Sequence, residues 1–328
     1  MKRKSIIGMA LLCLGMIILS AGGCGKAGDK EPAAIDKDLS GQENESEMLS
    51  AGEGKEESEV PAQEEGEKDS EIPEEEKKIT DATGKTLDTR IRVPDGYKRV
   101  KAEADSLAFF LRKYKMKKDG SPVLLYDGSK KGNQSAHVAV FKLPIENEDL
   151  QQCADSVMRV YAEYYWQKEE YDKIAFHFVD GFLAEYDKWR QGYRIQVTDG
   201  GTAWVKTESA DSSYETFKKY LRMVFAYAGT LSMEGESEKI KLSAIQAGDI
   251  FIKGASPGHV VMVVDVCKDE DGKKAFLLAQ GYMPAQEFHV LKNPMHGEDP
   301  WYYEEEMQYP FVTPEYTFDK GSLRRLCY

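Results

Sequence analysis

Apolar and polar positions change character three times along this 328-residue chain. Residues 6–19 form an apolar run broken only by small residues. Residues 25–78 carry almost no large apolar side chains. From residue 79 the periodicities of folded structure begin. The clearest is at 149–168, where Leu150, Cys153/Ala154, Val157/Met158, Tyr161 and Tyr165 recur with the spacing of one helical face. Asn147, Glu148 and Asp149 offer a cap and an acidic first turn. A second helix is expected from a cap at Asp211 or Ser212 to about Ala228, stopped by Gly229.

Alternation and β-branched content predict strands around these helices. The segment 91–100, with its Pro94-Asp95-Gly96 turn, opens the folded part. Residues 106–114 read as a strand or a short helix. Strands are expected at 123–126 and 137–143, separated by the loop 127–134, with Pro144 ending the second. Another is expected at 174–179. Residues 193–197 and 202–206 bracket Asp199-Gly200-Gly201, a hairpin signal. A Gly248-Asp249 turn leads into a strand at 250–253. Residues 259–266 are an almost unbroken apolar run, which 275–280 pairs back upon. Shorter elements follow: a strand at 288–291 and a final short helix at 320–326. Helices and antiparallel strands segregate, and the expected fold class is α+β.

The amino-terminal pattern sets the compartment. Lys2, Arg3 and Lys4 precede the apolar run, and Ser20-Ala21-Gly22-Gly23 leads to Cys24. Charge, apolar stretch and small-residue exit make a secretory signal, too short for a ~20-residue membrane span. The cysteine after small residues resembles the lipobox of bacterial lipoproteins, although Ala21 stands where leucine is usual. The resemblance implies cleavage after residue 23, a lipid on Cys24 and an extracytoplasmic, membrane-anchored protein. An ordinary cleaved signal or an uncleaved anchor are the alternatives. The expected organisation is a signal at 1–23, a lipidated tether at 24–80 and one globular domain at 81–328.

Charge supports the tether. Residues 25–78 hold 19 acidic and 7 basic residues and no aromatic one, while the whole chain carries a net charge of −13. Such a segment buries too little apolar surface to offset the entropy of ordering. The acidity therefore belongs to the spacer and says nothing of a substrate. The folded part is nearly balanced, and no nucleic-acid partner is expected. Of the 5 cysteines, Cys13 leaves with the signal and Cys24 takes lipid. Cys153, Cys267 and Cys327 remain, an odd number that leaves at least one thiol free. A Cys267–Cys327 disulfide stays open. Metal-ligand spacings such as C-x-x-C or H-E-x-x-H are missing, and neither a metal nor a cofactor is expected.

Three residues suggest chemistry. Cys153 sits on the first helix, His259 opens the apolar strand, and Gln280 closes its partner. A thiol nucleophile, an imidazole base and an amide that orients the imidazole are the parts of a cysteine hydrolase. Hairpin geometry brings His259 and Gln280 side by side. Gln151, Gln152 or backbone N–H groups near Cys153 are the oxyanion candidates. Trp189, Arg190, Tyr193 and Tyr282 are candidates for a substrate groove, and His137 is the reserve base. Each has an ordinary structural alternative. A free cysteine on an apolar helix face is commonly core, His259 can bond a carbonyl at a strand end, and the aromatic residues can pack.

The order helix-borne Cys153, Gly248-Asp249 turn, Gly258-His259 strand head and Gln280 resembles the papain-like NlpC and CHAP cell-wall hydrolases. That resemblance implies a papain-like antiparallel sheet against a Cys-bearing helix, with Cys153 as nucleophile, His259 as base and Gln280 as orienter. The chain departs from it in its 106-residue Cys-to-His interval and in Gln152, where aspartate is usual. A longer resemblance runs through 149–159, 186–195, 204–207, 248–264 and 277–294, which are similar to the bacterial family named domain of unknown function 4846. It implies a shared fold and export, without an established activity. The expected function is an exported, lipid-anchored cysteine hydrolase of an amide bond, with cell-wall peptide as substrate and peptidoglycan as partner. The alternative is a non-enzymatic lipoprotein that binds a wall fragment or a partner protein in the same cleft.

Overall fold

The apolar run that begins at His259 lies at the centre of the fold. Strand His259–Lys268 is buried at every position but its last, as a strand covered on both faces must be. Its alternation divides side chains between two cores. Val260, Met262 and Val264 enter a large core shared with the helices. Val261 and Val263 enter a smaller, aromatic one on the opposite face. This is a computed structural model that describes residues 78–328. The expected signal, the lipidation of Cys24 and the tether up to residue 77 lie outside the described residues.

Strands Ile250–Lys253 and Lys274–Gln280 flank the central strand, both antiparallel to it. Beyond Lys274–Gln280 come His289–Leu291 and His137–Val140. Beyond Ile250–Lys253 come Leu323–Leu326 and Ser237–Lys239. Lys98–Arg99 and Tyr302–Tyr303 complete a nine-stranded sheet. Three small hairpins stand apart from it, Ala175–His177 with Leu183–Glu185, Tyr193–Thr198 with Gly201–Lys206 and Phe311–Val312 with Thr317–Phe318. With six helices among the described residues, the fold is α+β with a mainly antiparallel sheet.

Helix Cys153–Gln167 packs on the central strand and begins later than its apolar spacing suggested. Its N-cap is Gln152 and Cys153 is its first residue. The reason lies in Asp155, whose Oδ2 accepts the Gln152 N–H at 3.0 Å, an acidic N3 side chain reaching back to the cap. Asp149, expected in the first turn, serves elsewhere: its Oδ1 accepts the Ala285 N–H at 2.6 Å. The second helix, Tyr214–Tyr227, is capped by Ser213, whose Oγ accepts from Thr216. Residues 106–114 form helix Leu107–Lys113, capped by Ser106.

Two expected elements are corrected. Residues 123–126 make isolated bridges rather than a strand. The Gln134 side chain takes both the N–H and the C=O of Val123, supplying bonds a neighbouring strand would make. The expected helix at 320–326 is instead strand Leu323–Leu326, inserted between Ile250–Lys253 and Ser237–Lys239. Arg325 holds it there by clasping Asp249, with Nε–Oδ1 at 2.7 Å and Nη2–Oδ2 at 2.9 Å. Tertiary pairing overrides local propensity at this short segment.

Two buried polar features fix the sheet. Asp265, fully buried in the central strand, receives Arg99 Nε at 2.7 Å and Arg112 Nε at 2.6 Å. This docks the first strand and the Leu107–Lys113 helix onto the sheet. Gly248 (φ +100°) makes the turn before Ile250; a Cβ there would lie 2.8 Å from the Tyr161 hydroxyl, which donates to the Gly248 carbonyl at 3.0 Å. The second core is closed by the C-terminal hairpin of Phe311–Val312 and Thr317–Phe318, with Phe311 4.6 Å from Phe251 between ring centres. Among the described residues no helix is long and apolar enough to cross a membrane.

Candidate active site

The start of the Cys153 helix and the head of the His259 strand border one cleft of about 510 Å³, together with Gln152, Asp155, Tyr282 and Tyr316. Gly281 allows this approach. A Cβ there would lie 2.2 Å from Ser156 Oγ and 2.9 Å from the Gln152 carbonyl oxygen, so the chain leaving Gln280 runs directly against the helix's first turn. Only glycine fits this close passage.

Cys153 is partly exposed and free. Its place as first helical residue puts the thiol at the positive end of the helix dipole, and the N–H groups of Ala154 and Val260 act on the sulfur to favour its thiolate. Burial opposes them, joined by the neighbouring Asp155 carboxyl, and the thiol is pushed up to about 11. Val260 follows His259 directly in the chain, and Cys153 and His259 border the same cleft.

His259 is almost fully buried. Its ring centre lies 4.7 Å from that of Tyr282 and 4.9 Å from that of Tyr316. Its Nε2 meets Gln280 Oε1 at 2.8 Å. Burial lowers the imidazole to about 4; the Gln280 bond resists this and the Lys131 charge adds to it. Thiol and imidazole are therefore both neutral near pH 7, a resting pair rather than a preformed thiolate–imidazolium.

The other expected site residues divide. Tyr282 and Gln152 border the cleft, with Gln152 Nε2 donating to Asp149 Oδ1 at 3.1 Å. Gln151 does not: it is fully buried, its Nε2 donating to the Pro144 carbonyl at 3.1 Å and its Oε1 accepting from Arg159 at 3.4 Å. Of the expected oxyanion candidates, Gln152 and the N–H groups at the helix start therefore lie at the cleft, and Gln151 does not. Trp189, Arg190 and Tyr193 also lie away from the cleft. Arg194 stacks on Trp189 at 4.4 Å, Lys206 covers Tyr193 at 5.3 Å, and Arg190 bonds Asp187 at 2.8 Å. Trp189 packs edge-to-face on Tyr220 of helix Tyr214–Tyr227, with ring centres 5.9 Å apart. His137 bonds the Ser121 carbonyl at 3.2 Å and pairs edge-to-face with His289, behind the sheet edge rather than in the cleft. Cys267 is buried, Cys327 is exposed, and both are free. No group of three or more His, Cys, Asp or Glu among the described residues is arranged to hold a metal.

Three participants escaped sequence reading: Tyr316, Glu315 and Lys131. Glu315 accepts Gln280 Nε2 at 2.8 Å and Asn133 Nδ2 at 3.2 Å, and pairs with Lys131. A Pro-Glu-Tyr turn between Phe311-Val312 and Thr317-Phe318 was the one available hint at the C-terminal end; Lys131 carried none.

The family description for domain of unknown function 4846 matches residues 87–325. The chain belongs to this family. The match spans the whole sheet apart from its last residue and includes Cys153, His259 and Gln280. Domain 4846 has no assigned function. No curated protein and no solved structure matches the chain.

Proposed function

We propose that this member of the domain 4846 family is an exported, lipid-anchored cysteine hydrolase that cleaves an amide bond in cell-wall peptide, built on a papain-like arrangement of helix and sheet. One observation carries the reading: a thiol on the first residue of a helix and an imidazole held through Nε2 by an amide border the same open cleft. In this reaction the Cys153 sulfur attacks the substrate carbonyl while its proton passes to His259. The oxyanion forms near the N–H groups of the helix start. Collapse expels the amine, which takes the proton from His259, and leaves a thioester on Cys153. Water, deprotonated by His259, then releases the acid and restores the thiol. Cys24 supplies the lipid that keeps the enzyme beside the wall. Incubation with purified peptidoglycan tests the reading. Wild-type protein releases new amine groups, and Cys153→Ala and His259→Ala release none while keeping their circular dichroism. No release by the wild type, or undiminished release by either variant, refutes it.

A binding lipoprotein is the second reading, and Asp155 favours it, since its carboxyl beside the Cys153 thiol opposes the thiolate a nucleophile needs. A binder retains wall fragments with equal affinity in wild type and Cys153→Ala and releases no amines.

A further inference from the structure

Behind Gln280 lies a charged pair on two segments far apart in sequence. Lys131 and Glu315 are both largely withdrawn from solvent and form an ion pair. Glu315 Oε2 accepts Gln280 Nε2 at 2.8 Å, and its Oε1 accepts Asn133 Nδ2 at 3.2 Å. Burying two charges is costly unless their geometry is satisfied on all sides, and here the satisfied geometry ends on His259.

From these contacts we infer that Glu315, held by Lys131, is a positioning residue that fixes the tautomer of His259 through Gln280. The logic is one of donors and acceptors. A carboxylate paired with a lysine can only accept. Glu315 therefore forces the Gln280 amide to present its NH2 to the carboxylate and its carbonyl oxygen to His259. That oxygen, 2.8 Å from Nε2, can only accept in turn, so the ring proton sits on Nε2. Nδ1 is left as the basic nitrogen, with no hydrogen bond to another residue. Without Glu315 the amide is free to turn over, present its NH2 to Nε2 and move the proton to Nδ1, where the ring cannot act as a base. The same turn that carries Glu315 carries Tyr316, whose hydroxyl donates to the Pro257 carbonyl at 3.1 Å and whose ring lies against His259. One short hairpin thus sets both the ring's packing and its proton.

The inference rests on the hydrolase reading for its functional meaning, but its test does not. Imidazole-15N-labelled protein reports each tautomer by NMR, and with 5 histidines in the chain the His259 signals are assigned by their loss in His259→Gln. The expected wild-type state near pH 7 is Nε2–H. In Glu315→Gln, whose side chain can donate or accept, His259 becomes a mixture of tautomers. Amine release then falls about tenfold in kcat with KM unchanged, the scale of one lost charge-assisted bond. Glu315→Asp, which keeps the charge but draws it back, is the second variant should the first fail to fold, and it too gives a mixture. An Nδ1–H ring in the wild type, or an unchanged Nε2–H ring in the folded variant, overturns the inference. Absence of turnover in the wild type overturns the hydrolase reading instead, so the two failures are told apart.

Discussion

His259 Nε2 and Gln280 Oε1 lie 2.8 Å apart, although 21 residues separate them in the chain. The hairpin of strands His259–Lys268 and Lys274–Gln280 makes the contact, and burial of both residues makes it matter. An imidazole in water titrates near 6.5, whereas this one is lowered to about 4.

The first consequence concerns pH. A base lowered to about 4 stays competent through neutral pH, and a thiol raised to about 11 stays protonated there. The kcat/KM profile for amine release is expected to be flat between those limits, with its acid limb centred near pH 4. An acid limb near the ordinary histidine value is the contrary result.

The same shift predicts acid instability. The unfolded His259 takes up a proton below about 6.5 and the folded one only below about 4, so stability is present above 6.5 and lost as pH falls between the two. The effect is roughly 3 kcal/mol for His259, and His289, lowered by burial to about 3, adds to it. Urea unfolding at pH 7, 5.5 and 4.5 measures the slope, and His289→Gln flattens it.

Thiol reactivity follows exposure and burial. Cys327 reacts first with iodoacetamide because it is exposed. Cys153 follows, and its rate climbs about tenfold per pH unit until near 11. Cys267, buried in the large core and pushed up to about 12, is labelled only on unfolding. Peptide mapping after timed labelling gives the order; Cys267 ahead of Cys153 contradicts it.

Asp265→Ala leaves Arg99 and the buried Arg112 without their shared carboxylate. Loss of one partner in such a buried cluster costs about 3–5 kcal/mol. Calorimetry is expected to record a clear fall in Tm with the fold otherwise retained. An unchanged Tm contradicts the role given to Asp265.

The catalytic triad candidates were legible because each sits at an element boundary that patterning marks. His259 begins an apolar run, Gln280 ends the next, and Cys153 lies on the best helical periodicity in the chain. Periodicity could not reveal where that helix starts. Asp155 decides it, and a contact between a side chain and a backbone three residues back leaves no mark on the apolar spacing. The Glu315–Lys131 pair was illegible for a different reason: it joins two loops through a third residue, and charge in loops is ordinarily solvated. Trp189, Arg190 and Tyr193 misled because aromatic and cationic residues in sequence proximity look the same whether they line a groove or pack on a helix. The expected helix at 320–326 failed because a strand slot between two others was waiting for it.

The thioester on Cys153 is the intermediate on which the hydrolase account stands. Acid-quenched mixtures of the protein with peptidoglycan-derived peptides, analysed by intact mass and peptide mapping, test it directly. The account predicts a wild-type adduct on the peptide that carries Cys153, equal in mass to the acyl fragment, and none in Cys153→Ala. Turnover without any adduct on Cys153, or the same adduct on Cys327 alone, contradicts it.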